Sequence, residues 1–264
     1  MSHETLLSIA SDIGRVAAEW VRENRPVGRV VVADTKSSPT DVVTALDRGC
    51  EELIRTYLAD VRPNDAVMGE ESDSTPGTTG IEWIIDPIDG TVNFMYGLGG
   101  YAVSIGATEH GTRVIGVVID IETGREFAAI RGKGAWRIVN GQRIALEGPP
   151  ATPLSHALVG TGFSYQPEIR ARQGRAIAEL LPHIRDIRRR GSAALDLVSL
   201  ASGELDAFVE QGLKPWDLAA GILIAEEAGL VSSGLDQEAD ERLTMVASPQ
   251  LARDFFPLVR RCGF

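Results

Sequence analysis

The sequence predicts an α+β protein, and three observations carry that prediction. Two amphipathic helical stretches open the chain, a series of short apolar runs with strand periodicity follows, and strand and helix patterns alternate over the second half. The 264 residues are 44% hydrophobic and 24% charged, the balance of a folded globular chain rather than a disordered or collagen-like one.

Residues 4–25 set Leu6, Ile9, Ile13, Val16, Trp20 and Val21 at helical spacing, with Pro26 just past the end. The stretch VVADTKSSPT reads as a strand end and a polar loop. A second helix is expected over about 41–59, with Val42, Leu46, Cys50, Leu53 and Leu58 on its apolar side. The period then changes. DAVMGEES, IEWIID, AVSIGATEHG, RVIGVVIDIETG, EFAAIRGKGAW and RIAL are short apolar runs broken by glycine and polar pairs, as strands are.

The proline-rich EGPPATP at 147–153 marks the expected boundary between a first part, 1–148, and a second, 149–264. Beyond it, HALVGTGFS reads as a strand and 167–181 as a helix. A further helix enters at Ser192, LDAFVEQG reads as a strand, and WDLAAGILIAEEAG as a helix closed by Gly229.

Charge and cysteine usage narrow the function. A net charge of −11 repels nucleic acid and anionic membranes, and the one basic cluster, RDIRRR at 185–190, reads as a solvated edge leading into the next element. No apolar run is long enough to span a bilayer, and MSHETLLSIASDIGR begins an amphipathic helix rather than a secretory leader. Two cysteines far apart, neither in a CxxC, fit a reducing compartment, so the cytoplasm is the expected location. Cys50, on an apolar stripe, reads as core.

Several familiar chemistries are missing. There is no GxxxxGK[ST] loop, HExxH, GxSxG elbow or EF-hand loop, and the four histidines are scattered. What remains is acidic residues at the ends of elements. In WIIDPIDGTVNF an apolar strand closes at Asp86, and Pro87 takes the chain out of the sheet. Asp89 then points from the turn, and Gly90 and Thr91 open a short helical segment whose free N–H groups favour an anion. Taken singly, each has an ordinary alternative: Asp89 and Asp217 as helix caps, Glu70 as loop surface, Asp47 as a solvated helix residue, Lys36 as a loop lysine, Glu210 as a strand-end charge.

Together they change the reading. KSSPTDVVTALD (36–47), GEES (69–72), WIIDPIDGTVNF (83–94), RRRGSAALDLVSLASGELDAFVE (188–210) and PWDLAAGILIAEEAG (215–229) resemble, in order and spacing, the motif set of the inositol monophosphatase family. The resemblance spans nearly the whole chain. It implies a layered α-β-α-β-α sandwich of the inositol monophosphatase and fructose-1,6-bisphosphatase type, and a phosphatase that uses magnesium and is lithium-sensitive. It also implies roles. Glu70, Asp86 and the carbonyl of Ile88 would hold one Mg²⁺, and Asp86, Asp89 and Asp217 a second. Glu70 and Thr91 would orient the attacking water, with Asp47 and Thr44 behind them. Gly90 and Thr91 would offer N–H groups to the phosphate. Lys36 would lie near the site, and Ser192, Ala193 and Glu210 would face the organic part of the substrate.

Physical chemistry points the same way. Four carboxylates in one cleft repel each other unless cations sit among them, and oxygen ligands without His or Cys select a hard ion, Mg²⁺ with Mn²⁺ tolerated. Four carboxylates and a phosphate ester together carry roughly two more negative charges than two such ions neutralise, so a third Mg²⁺ beside Glu70, aided by Lys36, is expected with substrate. Val92-Asn93-Phe94 and Gly191-Ser192-Ala193-Ala194 fit the inositol branch, and Glu210 suits a polyol; Gly99-Gly100 departs from the family, which usually has a proline nearby. The expected substrate is therefore a small phosphorylated polyol, inositol 1-phosphate, and the expected assembly a homodimer. Histidinol phosphate, fructose 1,6-bisphosphate and nucleotide 3′-phosphates stay open as substrates. Outside catalysis, a regulator that binds a phosphorylated ligand and a structural metal protein stay open.

Overall fold

The computed structural model describes residues 2–31, 34–35, 42–236 and 238–264. The chain opens with α1 (His3–Asn24), a two-residue pair β1 (Asp34–Thr35) and β2 (Val42–Val43), and α2 (Ala45–Val61). A meander follows: β3 (Ala66–Gly69), β4 (Ile81–Asp89), the short α3 (Thr91–Tyr96), β5 (Ala102–Glu109), β6 (Thr112–Asp120), β7 (Glu126–Ile130), β8 (Gly134–Val139) and β9 (Gln142–Ala145). The second half runs β10 (Leu158–Thr161), α4 (Pro167–Leu180), β11 (Asp186–Arg188), α5 (Ala193–Ala201), β12 (Ala207–Glu210), α6 (Pro215–Glu227), β13 (Val231–Ser233), β14 (Thr244–Ala247) and α7 (Pro249–Cys262).

Two sheets organise these elements. Strands β3 to β9 form a seven-stranded sheet in sequence order, antiparallel except for the β3–β4 pair. The second has the order β11-β10-β12-β14-β13. One side of the large sheet buries Ile85, Ile105 and Val117 against Leu6, Ile13 and Val21 of α1 and Ile54 and Leu58 of α2. Its other side packs Val118, Phe127 and Ala129 on Leu195 and Val198 of α5 and Leu223 and Ile224 of α6. The same two helices turn Leu197, Leu200 and Ile222 to Phe208 and Val246 of the small sheet. That sheet's far face is covered by Ala176 and Leu180 of α4 and Phe255 and Val259 of α7. Five layers result, α-β-α-β-α, in agreement with the expected class.

The middle layer follows from the sequence of α5 and α6. AALDLVSLA and LAAGILIA are apolar around most of the circumference, and such a helix must be covered on all sides. Close approach needs small residues on the sheet as well. A Cβ at Gly106 would lie 2.8 Å from the Ala219 methyl, and one at Gly116 would lie 2.7 Å from the Ala220 carbonyl oxygen. Those two glycines let the start of α6 lie almost on the sheet.

Three expectations change. Helix α2 starts at Ala45, capped by Thr44, because Val42 and Val43 are taken by a strand. RDIRRR is not only an edge, since Asp186–Arg188 adds a parallel strand to β10. Strand β4 does not end at Asp86 but runs on to Asp89. Cys50 is in the core as expected.

Candidate active site

The site begins with an irregularity in β4. Asp86 pairs with Ser104 and Asp89 with Ala102, so three steps on β4 oppose two on β5. In a regular strand, residues three apart point to opposite faces. The extra residue is a β-bulge, and it returns Asp89 to the side of Asp86. Pro87 supplies the local cause: without an N–H it cannot continue the ladder. The sequence reading had Pro87 ending the strand; the bulge instead keeps the strand and aligns its two aspartates. The Oδ1 of Asp86 also accepts the N–H of Ile88 at 3.1 Å, which stabilises the turn.

After the bulge, Gly90 takes a left-handed conformation, φ +99°, as the N-cap residue of α3. A side chain there would meet the Gly100 carbonyl at 2.7 Å, so only glycine fits. The Thr91 hydroxyl lies 3.1 Å from both Asp47 Oδ1 and the Ile88 carbonyl, and its single proton serves one of them at a time. Thr44 and Asp47 form a capping box on α2, with the Thr44 N–H donating to Asp47 Oδ2 at 2.9 Å and the Thr44 hydroxyl donating to the same oxygen. Both are fully buried, so Thr91 rests on a fixed base.

Asp89 is not a cap of its own helix. Its Oδ2 accepts the Ser192 hydroxyl at 2.7 Å and the Ala194 N–H at 2.6 Å, at the N-terminus of α5. Asp217 is brought in by α6, where it is the third helical residue rather than the N-cap. It accepts the Lys214 N–H at 2.6 Å. Oxygen atoms of Asp86, Asp89 and Asp217 all lie within 4.8 Å of one another. Glu70 lies outside that trio but lines the same cavity, of about 420 Å³, with Ile88, Gly90, Thr91, Ala193 and Glu210. Glu210 ends β12, its carboxylate pressed against Gly162, where a Cβ would be 2.1 Å away. Lys36 lies outside the described residues.

The electrostatics are unbalanced. Burial, then the charges of Asp89 and Glu70, push the Asp217 carboxyl well above its ordinary pKa. Burial also raises Asp89, against the opposing pull of Ser192 and the Ala194 and Ala193 N–H groups. Glu210 is raised well above by burial and by Asp196, Asp217 and Asp89. Asp196, on α5, is raised to about 7 by burial, against the pull of Arg190 and with a smaller push from Asp89. Such a site either holds protons or gathers cations. A side-chain contact with Asp86 and the Lys214 N–H pull the Asp217 carboxyl the other way, without overcoming the rise. The donors are all oxygens, with no imidazole or thiolate, and three acidic residues could hold a metal ion, so the set fits a hard divalent one.

Sequence reasoning passed over three contributors. Asp196 and Glu51 look like solvated helix positions, yet both are buried. Arg189, read as part of the basic edge, lines the cavity. The spacing Asp47, Cys50, Glu51 held the available signal, because residues three and four apart share one helix face. That face backs the site: Asp47 meets Thr91, the Cys50 thiol donates to the Pro87 carbonyl, and Glu51 accepts the Glu71 N–H.

The model of the inositol monophosphatase family matches residues 2–259. The chain belongs to that family. It is 44% identical over 237 residues to the inositol-1-monophosphatase SuhB of Mycobacterium tuberculosis, covering 85% of this chain and 82% of that one. The solved structure of Mycobacterium tuberculosis SuhB superposes with a TM-score of 0.84 at 38% identity, over 98% and 97% of the two chains. The Nus factor SuhB of Escherichia coli K12 is 37% identical over 230 residues, 86% of this chain and 84% of its own. SaIMPase-II bound to inositol monophosphate matches with a TM-score of 0.79 at 26% identity, over 97% and 95% of the chains. The protein is thus a phosphoric monoester hydrolase of the inositol monophosphatase family. Among the described residues, no helix is long and apolar enough to cross a membrane.

Proposed function

We infer that the protein hydrolyses inositol monophosphate, inositol 1-phosphate foremost, to inositol and phosphate with Mg²⁺ as its ion and Mn²⁺ as a substitute. The observation that carries the reading is the cluster of Asp86, Asp89 and Asp217 beside the Gly90–Thr91 turn, lining a cavity roomy enough for a small ester. Glu70, Asp86 and the Ile88 carbonyl would hold one ion, Asp86, Asp89 and Asp217 a second, and a third would join beside Glu70 with substrate. The ions supply Lewis acidity: they neutralise the phosphoryl group and acidify the attacking water.

The chain's own residues do the positioning. Glu70 and Thr91 hold the attacking water, and Thr91 can accept from it while its own proton goes to Asp47 at 3.1 Å. Asp47 is itself fixed by Thr44. Gly90 and Thr91 turn backbone N–H groups to the phosphate, while Ser192, Ala193 and Glu210 meet the polyol. The inositol branch is supported by the Val92-Asn93-Phe94 and Gly191-Ser192-Ala193-Ala194 motifs, and by relatives named for that activity. The reading also takes the chain as two parts, 1–148 and 149–264, sharing the α5–α6 layer. It includes lithium sensitivity, a cytoplasmic location, supported by Cys50 and Cys262 both being free, and a homodimer. Tyr96 and Leu98, 47% and 57% exposed near the site, offer apolar surface to a second copy.

The test is phosphate release from inositol 1-phosphate, histidinol phosphate, fructose 1,6-bisphosphate and adenosine 3′,5′-bisphosphate, with and without Mg²⁺, against Asp89→Asn as the blank. Turnover concentrated on inositol 1-phosphate, dependent on Mg²⁺ and absent from the variant, is expected. Preference for another ester overturns the substrate and keeps the mechanism. No release from any ester overturns both and favours the reading as a regulator that binds a phosphorylated ligand.

A further inference from the structure

Of the four carboxylates assigned to metal, Glu70 is the one that stands on a turn, Asp86 and Asp89 being on β4 and Asp217 on α6. Strand β3 stops at Gly69, and Glu70 begins a turn that is closed further on by backbone hydrogen bonds between Val67 and Thr75, at 2.9 and 2.8 Å. Where Glu70 reaches therefore depends on what fixes that turn from inside.

The fixing group is an ion pair on α2. Glu51 lies one helical turn beyond Asp47 and is completely buried. Its Oε2 accepts the Glu71 N–H at 2.7 Å, and its Oε1 accepts Arg55 Nε at 2.8 Å. Arg55 extends the grip: Nη1 donates to the Thr75 hydroxyl at 3.2 Å and Nη2 to the Ser72 carbonyl at 3.4 Å. The fit at Gly69 is tight, since a Cβ there would stand 2.5 Å from the Glu51 carboxylate. The pair thus touches the turn on either side of Glu70, at residues 69, 71, 72 and 75.

Stability gives no reason for such a pair. Two charges taken out of water are repaid only by good geometry, and an apolar pair of similar volume often serves as well or better. An apolar pair could not, however, hold the Glu71 N–H or the Ser72 carbonyl. We propose that Glu51 and Arg55 are positioning residues that set the reach of Glu70 into the metal site. Helix α2 then backs the site twice, through Asp47 to Thr91 and through Glu51 to Glu70. The proposal rests on the metal reading given above, and its test separates the two.

Mn²⁺ binding without substrate, followed by titration calorimetry, reads the arrangement directly. Glu51→Gln and Arg55→Met are compared with Arg62→Met, which strips the guanidinium from a second buried pair at the end of the same helix, Arg62–Asp65. All three are expected to lower the melting temperature. Only Glu51→Gln and Arg55→Met should weaken Mn²⁺, by about tenfold or more, as loss of groups that orient metal ligands does. Arg62→Met should leave the affinity unchanged. Parent-like affinity in both Glu51→Gln and Arg55→Met overturns the proposal and leaves the metal reading standing, as does equal weakening in all three variants. No Mn²⁺ binding by the parent protein overturns the metal reading, and the proposal with it.

Discussion

Asp65 and the group of Asp86, Asp89 and Asp217 are treated in opposite ways by the protein that surrounds them. Asp65 is 4% exposed and receives Arg62 Nε and Nη2 at 2.6 and 2.7 Å, the Thr79 hydroxyl at 2.6 Å and the Trp83 indole at 2.9 Å. Burial pushes its pKa up, but the donors from Arg62, Thr79 and Trp83 outweigh it, and the carboxyl sits below its ordinary value. Across the sheet, Asp86, Asp89 and Asp217 face each other, and burial and mutual repulsion hold Asp217 well above. Burial is common to both places. What separates them is the balance: at Asp65 the donors outweigh burial, at Asp217 burial and repulsion outweigh the donors, and carboxylates held that way favour a bound cation.

That contrast can be broken most sharply at Asp217. Asparagine keeps an oxygen for the Lys214 N–H and removes the charge. Phosphate release by Asp217→Asn should fall by roughly a thousandfold or more, several kcal/mol of lost charge stabilisation. In EDTA its melting temperature should hold or rise, because a repelling charge has gone. A drop of several degrees there would mean that Asp217 is structural, like Asp65.

Asp65→Asn should do the reverse. Leaving Arg62 without its buried partner costs about 3 kcal/mol, or roughly 6–12 °C in a chain of this size, while turnover at low temperature should hold. The pH dependence has a definite sign. With its folded pKa depressed, Asp65 contributes stability above the unfolded value of about 3.9, and loses it as pH falls through the folded value. The variant's melting curve should therefore flatten over that acid range, and a parent-like acid limb would assign the effect to other carboxylates.

The same contrast explains what could be read from the sequence. Asp86, Asp89 and Asp217 were legible because they close or open elements, where a charge has an end to point from. Their common side was not, since it depends on a bulge that only the pairing of β4 with β5 reveals. Glu51 and Asp196 were hidden for another reason. Periodicity tells which helix face is apolar, but a carboxylate tucked behind a turn looks in sequence like one in water. Most elements from α1 to α6 followed from pattern, β2 and β11 excepted, and their layering from the resemblance alone, whereas β13, β14 and α7 drew no prediction. α7 keeps Leu251, Phe255, Leu258 and Val259 at helical spacing, but Pro257 among them argues in sequence against a helix.

Ser192 belongs to both regimes, which makes it the finest test of the contrast. Its hydroxyl donates to Asp89 Oδ2 at 2.7 Å and accepts the Leu195 N–H at 3.2 Å, so one atom caps α5 and also steadies a proposed metal ligand. Loss of an N-cap hydroxyl costs about 1 kcal/mol, and loss of one donor to a charged group at least as much, so Ser192→Ala should lower both stability and turnover, the latter about tenfold. Ser192→Thr keeps the hydroxyl and should restore both. If stability falls and turnover stays, Asp89 is held well enough by the Ala194 N–H alone, and Ser192 answers to the helix only. If turnover falls while the melting temperature is unchanged, the hydroxyl serves Asp89 first, and α5 begins where it does because the site needs its N-terminus there.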